Sequence, residues 1–131
     1  MALSDIRDVP TSAANWASLD ALEIALDESL GMRRDPLATL DRILSADPGF
    51  VLGHCLRAEL QLLTTERSLV AEAAHSVEMA EALTGAANPR EKGHIAAIRA
   101  WLGGDLEKAV DCWEDVLLDH LRDLQALLPR I

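Results

Sequence analysis

The sequence predicts an all-α protein: antiparallel helical hairpins stacked in a short right-handed array. Three observations predict it. Apolar residues recur at spacings of three and four along most of the chain. The stripes are punctuated by start and stop pairs such as Asp35-Pro36, Asp47-Pro48-Gly49, Asn88-Pro89 and Gly103-Gly104. Strand signals are poor, since Ala and Leu dominate, there is no Tyr, and no β-branched run alternates with polar residues.

The first helix is expected over 13–30, with Ser12 as cap, Trp16, Leu19, Leu22, Leu26 and Leu30 as stripe, and Gly31 in the left-handed stop position. Asp35 and Pro36 restart the chain as cap and first helical residue. Leu37, Leu40, Ile43 and Leu44 form the face of a short second helix, which ends where Pro48 forces Asp47 out of the helical region. A third helix over 50–63 presents Leu52, Leu56 and Leu63, with Cys55 and Leu62 beside them. Thr64 or Thr65 caps a fourth over 66–83, on which Val70, Ala73, Ala74 and Val77 share a face before Gly85. The fifth, over 89–102, has the strongest start: Asn88 caps, Pro89 takes the first position, and Glu91 can reach back in a capping box. Its apolar face is Ile95, Ile98, Trp101 and Leu102. Asp105 caps the sixth, where Leu106, Ala109, Val110, Trp113, Val116 and Leu117 keep helical spacing. A seventh begins near 122. The hairpins are therefore 13–47, 50–84 and 89–120, followed by a partial helix over 122–131.

With 131 residues, half of them apolar, the chain reads as one domain over 1–131 that can bury a core without staples. A net charge of −10 argues against nucleic acid, whose binders need a basic stripe, and against an anionic membrane surface. No uncharged run is long enough to span a bilayer, and the N-terminus lacks a signal-peptide core. Two cysteines in apolar helical contexts read as reduced, buried thiols. The expected location is cytoplasmic.

The spacing of the hairpins points to a helical repeat. In the sixth helix Ala109 fills the small crossing position of a tetratricopeptide unit and Trp113 the large aromatic one turn later. Ala97 and Ala100 stand at the places of the signature Gly and Tyr, and Gly93 at that of the Trp. The first hairpin repeats the ending, with Leu40 as its large residue and Ala46-Asp47-Pro48 as its stop.

Ala46 through His54, then Arg90-Glu91 with His94, then Gly104 through Ala109, Trp113-Glu114, Asp119-His120, Asp123, Ala126 and Leu127 together resemble the N-terminal part of the tetratricopeptide repeat protein 38 family. The resemblance runs from about Val9 onward. It implies a helical-repeat fold and no particular chemistry. Family members continue with further helical units, and Leu121 stands where they usually carry Pro.

Chemical motifs are few. Glu72/His75 and Glu91/His94 are two Glu-x-x-His pairs, the spacing used by di-iron and di-manganese bundles. Against that reading, Glu72 and His75 lie opposite the Val70/Val77 face, and Glu91 already serves as a cap. His94 shares a face with Ile98 and Trp101 and is expected to be a hydrogen-bonded core histidine. His54 and Cys55 are adjacent, about 100° apart on a helix, so they cannot readily form a nucleophilic dyad. His120 favours the dipole in a last helical turn. The three Trp residues lie in apolar stripes and are expected in the core. Lys92 and Lys108 are the only lysines, too few for a basic clamp on acidic peptide ends. The expectation is a non-catalytic interaction module without cofactor or metal, binding a protein or peptide through its groove, with an acidic rim favouring basic or neutral ligands. Leu121, Leu124, Leu127 and Leu128 suggest a second possibility: a truncated relative that self-associates through its C-terminal end.

Overall fold

The computed structural model describes residues 11, 16–31, 36–63, 67–120 and 123–127. Among them the chain forms seven α-helices: α1 (Trp16–Gly31), α2 (Pro36–Ala46), α3 (Val51–Leu63), α4 (Arg67–Ala82), α5 (Pro89–Leu102), α6 (Leu106–Asp119) and α7 (Leu124–Leu127). A single 3-10 turn, Thr84–Ala86, precedes α5, and no described residue is in a strand. The helices pair as α1/α2, α3/α4 and α5/α6, and the first helix of each later pair packs on both helices of the pair before it. That is a stacked helical array.

The caps explain the best-defined ends. The Asn88 side chain accepts from the Glu91 N–H at 2.9 Å, and the Asn88 N–H donates to Glu91 Oε1 at 2.9 Å, completing the capping box. Asp105 Oδ1 accepts from the Lys108 N–H at 3.0 Å. The turn between them needs a left-handed residue, and Gly104 supplies it with φ +87°. Gly31 is the last residue of α1 rather than the stop beyond it. The expected caps Ser12, Asp35, Thr64 and Thr65 lie outside the described residues.

α3 is the central element, with ten of its thirteen residues buried. One side sends Leu52 and Leu56 into a cluster with Leu19, Leu22, Leu26, Leu40 and Phe50. The other sends Val51, Cys55, Ala58 and Leu62 into a second cluster with Val77, Ile98, Ala109 and Trp113. Trp101 meets Trp113 edge to face, centroids 5.6 Å apart. Leu40, Ala97, Ala109 and Trp113 are buried, and Ala100 packs half-buried against the second cluster. Pro48 sits exposed in the α2–α3 turn.

Several apolar residues depart from expectation. Trp16 is 61% exposed, because the α1 stripe is covered only from Leu19 onward. Leu63 and Val70 are exposed at the facing ends of α3 and α4. Leu106 occupies the first turn of α6, and the helical period turns Val110 about 100° from Ala109; both are exposed.

α5 and α6 approach closely at Gly93, where a Cβ would overlap Val116 Cγ2. Gly93→Ala is expected to cost about 1–3 kcal/mol by overpacking. Urea denaturation checks it: Val116→Ala should cost less in the Gly93→Ala background than alone, and additivity of the two would count against the overlap.

Candidate functional site

Two polar constellations stand out. The first is buried where α3, α5 and the start of α7 meet. His94 on α5 places Nδ1 2.8 Å from Glu59 Oε1 on α3 and Nε2 2.9 Å from Asp123 Oδ2. Arg90, one turn earlier on α5, donates Nε to Asp123 Oδ2 at 2.7 Å and Nη2 to Oδ1 at 3.0 Å, a two-pronged ion pair. Asp123 Oδ1 also accepts the Ala126 N–H at 3.1 Å and so starts α7. Gln125 donates to Glu59 Oε1 at 3.3 Å and to the Leu52 carbonyl at 3.4 Å.

With an imidazolium, Glu59, His94, Asp123 and Arg90 sum to zero charge, which is what a dry interior demands. Burial alone would lower His94, but the Glu59 and Asp123 carboxylates, hydrogen-bonded to its two nitrogens, raise it to about 9. Burial likewise works upward on Asp123; the neighbouring His94 and Arg90 overcome it and hold the carboxyl well below the usual range. At Glu59 burial wins and the carboxyl is pushed up, only partly offset by His94 and Gln125. The Trp113 indole Nε1 lies 3.3 Å from His94 Nδ1 and donates to it only when that nitrogen is unprotonated, so it competes with Glu59.

No side chain of this quartet is more than 3% exposed. It ties α3, α5 and the start of α7 together and acts as an anchor. Glu59 Oε2 and Gln125 Oε1 are buried with no partner among the described residues.

The second constellation is open. A cleft of about 370 Å³ lies between α2, α3 and α4, lined by Asp41, Leu44, Ser45, His54, Arg57, His75, Ser76 and Met79. Arg57 donates Nε to Asp41 Oδ1 at 2.6 Å and Nη1 to Ser76 Oγ at 2.8 Å. The Ser76 hydroxyl donates to Gln61 Oε1 at 3.0 Å, and the Gln61 amide donates to Glu72 Oε2 at 3.2 Å. His54 Nε2 donates to the Pro48 carbonyl at 2.8 Å. A carbonyl only accepts, so in the neutral ring Nε2 carries the proton and Nδ1 is unprotonated. Burial lowers His54, with the Pro48 bond acting the other way.

These positions decide the motif expectations. His94 is the hydrogen-bonded core histidine its stripe predicts. Glu72 and His75 are exposed on α4, while Glu91 is held in the capping box and His94 lies between two carboxylates on α5. The two Glu-x-x-His pairs do not converge, and no group of three or more His, Cys, Asp or Glu among the described residues is arranged to hold a metal. Cys55 is buried, its thiol pushed well above the usual range first by burial and then by Glu59; Cys112 is only half-buried, against expectation. The self-association leucines cannot be placed: Leu121 and Leu128, and the side chains of Leu124 and Leu127, lie outside the described residues. No described helix is long and apolar enough to cross a membrane.

Sequence reasoning missed the partners of His94. A signal existed: Glu59 interrupts an apolar stripe, three residues after Leu56 and three before Leu62, where a lone carboxylate is burial awaiting a cation. In comparisons with known proteins, the chain matches no family model and no solved structure.

Proposed function

We propose that this protein is a non-catalytic interaction module of tetratricopeptide repeat protein 38-like type, working in the cytoplasm and docking a basic amphipathic segment of a partner protein. The stacking of each hairpin on both helices of the one before, and two free thiols suited to a reducing compartment, support the type and the location.

The observation that carries the docking function is the outer face of α6. Glu107, Asp111 and Leu118 follow one another at i, i+4 and i+11, opposite the buried Ala109. Leu118 is 75% exposed, and Leu106 (54%) and Val110 flank the stripe. The carboxylates of Glu107 and Asp111, four apart, repel, costing a helix about 0.2–0.5 kcal/mol. Exposed leucines add a further unmet demand for cover. A cationic amphipathic helix satisfies both at once, its Lys and Arg on the acidic stripe and its apolar side on the leucines.

Titration with a fluorescent Lys/Leu amphipathic peptide tests this. Binding should weaken as salt rises and weaken again in Asp111→Lys and Leu118→Ser, neither of which touches the core. Equal binding of an uncharged amphipathic peptide, or indifference to both substitutions, would remove the reading.

A further inference from the structure

The cleft between α2, α3 and α4 is separate from the α6 face and lacks its excess of carboxylates. Around it stand one guanidinium and two imidazoles against a single carboxylate, Asp41, in a chain whose net charge is −10. The geometry points to this cleft as a binding site for a small oxyanion that also carries a hydroxyl, of which hydrogen phosphate, free or as a phosphomonoester, is the simplest.

Preorganisation comes first. The guanidinium is fixed on two sides by Asp41 and Ser76, and Ser76 is itself buried and oriented by Gln61 and Glu72. A fixed guanidinium loses little freedom on binding. Its Nη2 carries two N–H donors with no partner among the described residues, so the Arg57 charge is not spent. The Asp41 pair is half open to solvent, with Asp41 55% exposed; such surface pairs are weak and an incoming anion can compete with them.

Selectivity comes from the histidines. His54 spends its one N–H on Pro48, so its remaining nitrogen is an acceptor. A bare carboxylate offers that acceptor nothing. Hydrogen phosphate offers both an O–H donor for His54 and oxygens for Arg57. His75, exposed at the rim, adds a further polar contact, and Leu44 and Met79 give an apolar wall on which an ester substituent could rest.

The test follows the ring signals of His54 and His75 by NMR during titration with inorganic phosphate, acetate and a simple phosphomonoester such as phenyl phosphate. Phosphate is expected to shift both rings saturably, with a dissociation constant in the millimolar range, and acetate to bind at least about tenfold more weakly. Tighter binding of phenyl phosphate would identify the esterified source, and equal binding the free anion. Arg57→Met should weaken phosphate by about tenfold or more. Should that variant lose its fold, His75→Gln, on an exposed side chain, is expected to weaken binding by a smaller but measurable factor. The proposal is overturned if phosphate moves neither ring up to tens of millimolar, or if acetate binds as well as phosphate.

Discussion

Asp123→Ala is expected to destabilise the protein by about 3–5 kcal/mol, the range found when one partner of a buried ion pair is removed. The loss comes from what remains rather than from the contact itself. Arg90 and the imidazolium of His94 would both stay buried without the Asp123 carboxylate, and α7 would lose the acceptor for the Ala126 N–H. Guanidinium denaturation measures the total. Amide hydrogen exchange locates it: protection around Ala126 should fall first. Asp123→Asn keeps the shape but brings an amide to Arg90, so most of the loss should persist. A cost below about 1 kcal/mol would show that the quartet ties nothing down.

The second large effect is alkaline loss of stability. His94 rises from 6.5 in the unfolded chain to about 9 in the folded one. A raised folded value means that the folded state binds the proton more tightly. Its contribution is therefore complete below pH 6.5 and disappears as pH climbs to about 9, a change on the order of 3 kcal/mol. Glu59, also pushed up, acts in the same direction from lower pH; Asp123, pushed down, costs stability only on strong acidification. Above pH 9 the Cys55 thiol, which resists ionisation when buried, continues the decline. Thermal unfolding from pH 6 to 10 for the parent and His94→Gln separates these effects. Between pH 6.5 and 9 the parent curve should fall and the variant curve stay nearly level; parallel curves would assign the alkaline loss elsewhere.

Much of this architecture was legible in the residues. Asn88-Pro89-Arg90-Glu91 specifies a helix start so completely that the capping box follows from local chemistry alone. Ala109 and Trp113 announce the α5/α6 crossing because their sizes must complement a neighbour one turn away. What was not legible is what depends on distant pairing. His94 declares its burial through Ile98 and Trp101, yet its partners lie 35 residues back and 29 residues on. Nothing in the local period names them. The exposure of Trp16 and Leu106 has the same origin: a stripe shows which face a helix would bury, while the extent of cover depends on where the neighbouring helices end.

The anchoring of α7 has a consequence for assembly. Hydrophobic edges of helical arrays accept many partners, because one leucine face resembles another. Here the surface that receives α7 carries Glu59, Arg90 and His94, and these must be matched atom for atom by an acid at one position and an amide two residues on. An apolar helix docking there would leave Arg90 and His94 without the Asp123 carboxylate and Glu59 without the Gln125 amide, a penalty that opposes its own burial. The polar contacts therefore work as a password: they hold the correct segment moderately well and refuse incorrect ones strongly.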